Sequence, residues 1–156
     1  MQIRQHPPEI IDLIPERIDN SHKGTYGRSL IIAGSNQYTG AAALAVEGAL
    51  KSGAGMVFAV AIDRVAQVIQ NQSPEAIVTQ CAEKNGQIDP AAINQIIELI
   101  HENRINSICI GPGLGVSDAL NEFYQMFISE LSNINCPCVI DADALPVCFQ
   151  ALKGGS

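Results

Sequence analysis

Aromatic side chains make up only 4% of this 156-residue chain and tryptophan is absent. The stacked aromatic platforms on which single-stranded nucleic acid lies are therefore not supplied. Positive charge is scarce too: 9 Lys and Arg stand against 16 Asp and Glu, for a formal net charge of -7. A nucleic-acid partner needs a basic face and an anionic membrane surface repels an acidic one, so both are excluded as expectations. No run of about 18 apolar residues occurs. The opening MQIRQHPPEIID carries two prolines and an acidic residue where a signal peptide needs its apolar stretch, which gives a cytoplasmic protein as the expectation. The 5 cysteines, Cys81, Cys109, Cys136, Cys138 and Cys148, are an odd set without paired CxxC units, so neither a disulfide framework nor a zinc site is indicated. Cys109 and Cys138 lie in apolar runs and are expected to be buried thiols. There is no internal repeat, no Ser or Cys nucleophile in a recognisable elbow and no His-Glu metal spacing, and hydrolase readings drop out.

What is present is a composition that can bury a core, 47% hydrophobic and 16% charged. Residues 1–28 are polar and broken by Pro7, Pro8 and Pro15, a lead-in with one short helical piece near Ile10 to Ile14. From residue 29 to 156 short apolar runs alternate with longer stretches of helical period, the βαβ signature of an α/β fold. The runs are 29–33, 56–62, 76–79, 107–110 and 138–140. Most are continuously apolar, as parallel strands covered on both faces should be. Asp89-Pro90 opens a helix with an apolar stripe of Ile93, Ile96, Ile97 and Ile100. Ser117 caps the next, whose buried face is expected to be Leu120, Phe123, Tyr124, Phe127, Ile128 and Leu131. The helix at 41–51 offers Ala41, Leu44, Ala45, Gly48 and Ala49 as its inner face, and a last helical run begins near Ala144.

Four motifs carry the chemistry. GSNQYTGAA at 34–42 follows the first strand, and a glycine turn feeding a helix aims free N–H groups and a positive helix end at one point. The spacing is not that of a dinucleotide or P-loop fingerprint, and the glycines equally suit a tight turn. GPGLG at 111–115 again lies between strand and helix, able to meet a ligand backbone-first or simply to close a short connection. VIDADAL at 139–145 brings Asp141 and Asp143 to the same carboxyl edge, where paired carboxylates suit magnesium-phosphate chemistry; alternatively Asp143 caps a helix and Asp141 holds a loop amide. HKGTYGR at 22–28 precedes the first strand, with Lys23 as a point charge and Arg28 as a fork for phosphate, or as an ordinary solvated loop.

Taken in order, HKGTYGRSLIIAGSNQYTGAAALAVEGALKSGAGMV, SPEAIV, GPGLG and VIDADAL resemble the ADP/ATP-dependent NAD(P)H-hydrate dehydratases, carbohydrate-kinase-related members of the ribokinase-like superfamily. The resemblance runs from about His22 to Leu145. It implies a ribokinase-like, Rossmann-type three-layer α/β/α fold with a mainly parallel sheet, here a partial domain ending after about five strands. It also implies nicotinamide nucleotide repair: ADP or ATP with Mg2+ phosphorylates the hydroxyl of the hydrated ring, phosphate leaves, and NADH or NADPH is regenerated. Carried over by motif, Gly40 and Ala41 line the hydrate pocket with Gly113 and Gly115 beside it, Lys23 and Tyr26 face the same cleft, and Asp141 and Asp143 organise metal-bound phosphate and water.

Family members continue through a Thr-Pro-His-x-Gly-Glu segment, a Lys-Gly segment and a Gly-Thr-Gly-Asp anion hole whose aspartate is the base. None of these occurs in the 156 residues. The expectation is accordingly a dehydratase portion inactive alone. The alternatives are a non-catalytic nucleotide-binding or assembly module completed by a partner chain or a second copy, and a small-alcohol kinase of the same fold, against which the HKG and YTGAA segments speak. An exposed sheet edge makes self-association or a complementing chain a physical expectation.

Overall fold

The computed structural model describes residues 19–154, with side chains through residue 150. The helical piece expected near Ile10 to Ile14, and most of the 1–28 lead-in, lie outside the described residues. A turn of 3-10 helix at Lys23–Tyr26 leads into β1 (Arg28–Ile32), followed by α1 (Thr39–Lys51), β2 (Met56–Ala61), α2 (Asp63–Gln72) and β3 (Ile77–Gln80). A two-stranded hairpin, β4 (Glu83–Lys84) and β5 (Gln87–Ile88), comes next, and then α3 (Ile93–Glu102) and β6 (Ser107–Ile110). The chain closes with α4 (Asp118–Ile134), β7 (Cys138–Ile140) and α5 (Leu145–Gly154).

All five expected runs are strands, and they form one parallel sheet in the order β3-β2-β1-β6-β7. From the central β1 the chain moves outward to β2 and β3, then crosses back to β6 and β7. Right-handed crossovers running in opposite directions place their helices on opposite faces, so α1 and α2 pack together on one side and α3 and α4 on the other. This is the three-layer α/β/α arrangement the resemblance implies. The core follows from the sequence pattern: Leu30, Ile32, Val60 and Ala61 of the inner strands are fully enclosed. The α4 stripe of Leu120, Phe123, Tyr124 and Phe127 is buried as expected, with Ile128 and Leu131 partly buried. Asp89 caps a short 3-10 turn at Pro90–Ala92, its Oδ1 accepting from the Ala91 N–H at 2.8 Å, and α3 then buries Ile93, Ile96, Leu99 and Ile100.

Three expectations need correction. In α1 the buried positions are Ala42, Ala43 and Val46, whereas Leu44 is 70% exposed. Small residues occupy both faces of this helix, so hydrophobicity alone did not fix its phase. Cys109 and Cys138 are half-buried rather than buried, and Cys148 is the enclosed thiol. The reason is a stretch of sheet that none of the described elements covers. On the α1 side, Ile31, Cys109 and Val139 form the floor of a groove whose wall is Ala45, Gly48 and Ala49, and Val139 is 62% exposed. Continuous apolarity at β7 thus marks a strand built for cover on both faces that receives it on one. The third concerns β3, an edge strand whose Ile77 is exposed.

Burial pushes the Cys81 and Cys138 thiols up to about 12. A thiol in the unfolded chain ionises near 8.5. Between about pH 9 and pH 12 the unfolded state therefore releases protons that the native state keeps, and stability falls as pH rises. The urea midpoint is expected to be lower at pH 10 than at pH 8, with part of the decline removed by Cys81→Ala. Equal declines in the variant and the parent would contradict this.

Candidate functional site at the carboxyl edge of the sheet

The strand order reverses between β1 and β6, the position where open α/β sheets bind ligands outside the carboxyl ends of their strands. Both glycine loops lie at this point. After β1 the chain turns at Gly34, whose N–H donates to the Pro112 carbonyl at 2.9 Å and so stitches the two loops together. The loop then enters α1 through Tyr38, which supplies no side-chain cap. No side chain caps the first turn of α1, where the Ala41 N–H turns back on the Tyr38 carbonyl at 3.3 Å, and nothing lies within 4 Å of where a Cβ on Gly40 would stand. An uncapped positive helix end and an open glycine together form a place for an anionic or strongly polar ligand group.

The GPGLG loop meets a different neighbour at each glycine. A Cβ on Gly111 would stand 1.9 Å from the Asp141 carbonyl oxygen, one on Gly113 would stand 2.7 Å from the Ala41 Cβ, and one on Gly115 would stand 2.5 Å from Gln87 Nε2. The loop is thus a junction of the β7 end, the first turn of α1 and the β4–β5 hairpin. Ser117 caps α4, its Oγ accepting from the Leu120 N–H at 3.2 Å while donating to Gln87 Oε1 at 2.8 Å.

The two aspartates divide their roles. Asp143 Oδ2 accepts from the Gly115 N–H at 2.9 Å, so it is the carboxylate that holds a loop amide. Asp141 is exposed and makes no side-chain cap; it opens the 3-10 turn Ala142–Ala144 by its backbone alone. Half of the bland alternative is therefore realised: a loop amide is held, by Asp143 rather than Asp141, and neither carboxylate is seen to cap a helix. Between them Ala142 holds φ 46, a left-handed conformation that a non-glycine residue adopts at a cost and that recurs at functional sites. Tyr124 lies behind the loop, its hydroxyl donating to the Gly115 carbonyl at 3.4 Å. Burial first, and Asp143 second, raise its pKa, so the phenol stays protonated and keeps donating. Asp143→Ala is expected to cost about 1.5 kcal/mol, the worth of a hydrogen bond to a charged group, while Asp143→Asn keeps an acceptor and loses less. Urea unfolding of the two variants checks the order.

Gly40, Ala41, Gly113, Gly115, Asp141 and Asp143 thus share one edge. Lys23 and Tyr26 do not join them. Their turn precedes β1 and the glycine loop follows it, so five residues of strand carry the chain across the sheet between the two. A separate cavity of about 450 Å³ at the amino edge is lined by His22, Lys23, Tyr26 and the Gly53–Gly55 backbone. Arg28 is not a phosphate fork either: its Nη1 donates to the Asn103 carbonyl at 2.7 Å, closing the end of α3. The hairpin escaped the sequence reading, although Asn85-Gly86 is the dipeptide signal for such a turn, with φ 54 and 77 here. Ser35 and Tyr124 escaped it as site neighbours too, because nothing local distinguishes them from turn and core residues.

The sequence model of the NAD(P)H-hydrate dehydratase family matches residues 29–153. The chain belongs to this family. Among curated relatives, it is 35% identical over 142 residues to the ADP-dependent (S)-NAD(P)H-hydrate dehydratase of Listeria monocytogenes, covering 90% of this chain and 47% of the relative. It is 38% identical over 132 residues to the bifunctional NAD(P)H-hydrate repair enzyme Nnr of Methanothermobacter thermautotrophicus, covering 85% of this chain and 25% of that enzyme. Among solved structures, the ADP/ATP-dependent NAD(P)H-hydrate dehydratase of Bacillus subtilis, co-crystallised with ATP and Mg2+, aligns with a TM-score of 0.63 at 31% identity, covering 85% of this chain and 43% of that one. A ribokinase-like superfamily protein of Enterococcus faecalis aligns with a TM-score of 0.73 at 24% identity over 88% of this chain and 44% of that one, a likeness of fold. The chain spans less than half the length of these relatives. In this NAD(P)H-hydrate dehydratase family member the matched stretch contains the whole carboxyl edge described above. Among the described residues, no helix is long and apolar enough to cross a membrane and no three His, Cys, Asp or Glu side chains form a metal-binding group.

Proposed function

We propose that the carboxyl edge between β1 and β6 binds hydrated NADH or NADPH and carries the substrate-facing part of a nucleotide-dependent dehydration. The observation that carries this is the convergence of both glycine loops on the uncapped first turn of α1, with Gly113 packed directly on Ala41 and Gly40 open beside them. The loops at 34–40 and 111–117 contain no charged residue, so phosphate here is held by backbone N–H groups rather than by lysine or arginine. ADP or ATP would supply the phosphate that turns the ring hydroxyl into a leaving group. Mg2+ is bound by phosphates and one or two carboxylates rather than by a protein cage. Asp143 is committed to Gly115, which leaves the exposed Asp141 as the carboxylate able to meet metal-bound water.

Neither of the described histidines reaches this edge. His22 lies at the amino edge and His101 at the end of α3, and the Gly-Thr-Gly-Asp segment does not occur in the 156 residues. Binding without turnover is expected from the chain by itself, since acid–base catalysis alone is worth about 100- to 10,000-fold. Incubation with hydrated NADH, ATP or ADP and Mg2+ should therefore show saturable binding and no recovery of reduced-nicotinamide absorbance. Turnover at a relative's rate would overturn the inactive part of this reading.

A second reading, an assembly module completed by further polypeptide, is favoured by one observation: the apolar groove beside Val139, where no described element covers the parallel sheet. Val139→Asp should leave the urea midpoint nearly unchanged and reduce self-association in sedimentation. An unchanged sedimentation profile would count against this reading.

A further inference from the structure

The β4–β5 hairpin arches over the carboxyl edge, and its role is not accounted for by the loops alone. Its tip is fixed from two sides. The Asn36 N–H donates to the Gly86 carbonyl at 2.8 Å, and Gln87 is held by Ser117 Oγ at 2.8 Å. A Cβ on Gly86 would stand 2.6 Å from Asn36 Nδ2, so the tip lies directly on the β1–α1 loop. Between tip and loop is a cavity of about 240 Å³ lined by Ser35, Asn36, Gln37, Asn85, Gly86 and Gln87.

Two features say what this cavity takes. Its lining has four carboxamide side chains and one hydroxyl but no charged group, so its side chains offer donors and acceptors together and suit a neutral group that both donates and accepts. The second feature is Ser35. The residue is only 3% exposed, and its hydroxyl makes no hydrogen bond among the described residues. No fully enclosed side-chain polar atom among those residues lacks a partner, so Ser35 Oγ opens on the cavity it lines. A hydroxyl that no protein group pairs and that opens on a cavity is free to bond whatever enters it. The space is smaller than a drug-sized pocket and fits one substituted ring rather than a dinucleotide.

We propose that the cavity beneath the hairpin tip is the subsite for the carboxamide of the ligand's nicotinamide ring, with Ser35 as its buried hydrogen-bonding partner. This rests on the reading that the edge binds a hydrated nicotinamide nucleotide, and it assigns the end of that ligand that turns toward the hairpin. A ring oriented in this way stands over the N-terminal turn of α1, leaving the phosphates to run along the GPGLG loop.

The test uses the full chain and two probes, hydrated NADH and its analogue bearing a carboxylate in place of the carboxamide. Ser35→Ala is expected to weaken hydrated NADH about tenfold, one hydrogen bond's worth, and to leave the analogue's already weaker binding unchanged. Gln37→Ala, an exposed loop change, guards against misfolding of the first variant and should weaken hydrated NADH by a smaller factor with the same insensitivity of the analogue. Amide shifts at Ser35, Asn36 and Gly86 on adding hydrated NADH complete the support. If hydrated NADH binds with shifts at Gly40 and Gly113 but both variants bind it as the parent does, the subsite is wrong while the edge reading stands. If hydrated NADH does not bind the parent at all, both fall.

Discussion

Gly111→Ala is expected to abolish ligand binding and to remove a large part of the chain's stability. Two costs coincide at this position. Gly111 holds φ 123, outside the regions an L side chain adopts readily, and a Cβ there would stand 1.9 Å from the Asp141 carbonyl oxygen and 3.0 Å from the Ala144 Cβ. Relief requires the end of β7 to move away from the end of β6. That would break the Asp141 N–H to Ile110 carbonyl bond at 3.0 Å and draw Asp143 off the Gly115 N–H. Together these effects amount to on the order of 4 kcal/mol, a large part of the stability of an ordinary domain. Urea unfolding should show a much lower midpoint, and titration with hydrated NADH should show no saturation. A variant that unfolds within about 1 kcal/mol of the parent would mean that β7 is not held where the structure places it.

The second large effect lies at the opposite edge and separates stability from binding. Gly55 approaches the 3-10 turn so closely that a Cβ would stand 1.6 Å from the Lys23 carbonyl oxygen and 3.2 Å from that of Gly27. The Gly55 N–H donates to the Tyr26 carbonyl and the Met56 N–H to that of Gly27, both at 3.1 Å. These contacts are backbone to backbone, and no rotamer change relieves the clash. Gly55→Ala is expected to cost on the order of 3 kcal/mol by forcing the turn off β2. The glycine loops are a strand's length away, so molecules that remain folded should bind hydrated NADH as the parent does. Affinity measured at a temperature where the variant is folded checks this. A loss of affinity larger than the unfolded fraction explains would put the Lys23 and Tyr26 edge back into the site.

Strands were legible in the sequence because a parallel sheet writes itself as unbroken apolar runs, and SLII, MVFAVA and SICI need no tertiary knowledge to be read so. Capping signals at Asp89 and Ser117 were legible for the same local reason. The phase of α1 was not, because a helix of alanine and glycine presents nearly the same face in every direction. The hairpin was missed although Asn85-Gly86 announces it, since its two-residue strands carry no periodicity. Of the site, the motifs were visible but not their assembly. That Gly111 is reserved for the Asp141 carbonyl and Gly115 for Gln87 is a fact about distant segments, which spacing along the chain does not contain. The same limit put Lys23 and Tyr26 in a cleft they do not reach: neighbouring motifs in sequence were separated in space by the strand between them.

The central claim is that the ligand lies where the strand order reverses. Titrating hydrated NADH into the isotopically labelled chain and following backbone amide resonances tests it most directly. The account predicts saturable shifts at Gly40, Ala41 and Gly113, with none at Lys23, Tyr26 or Gly55. Shifts confined to the amino edge, or no saturable change at any residue, would contradict it.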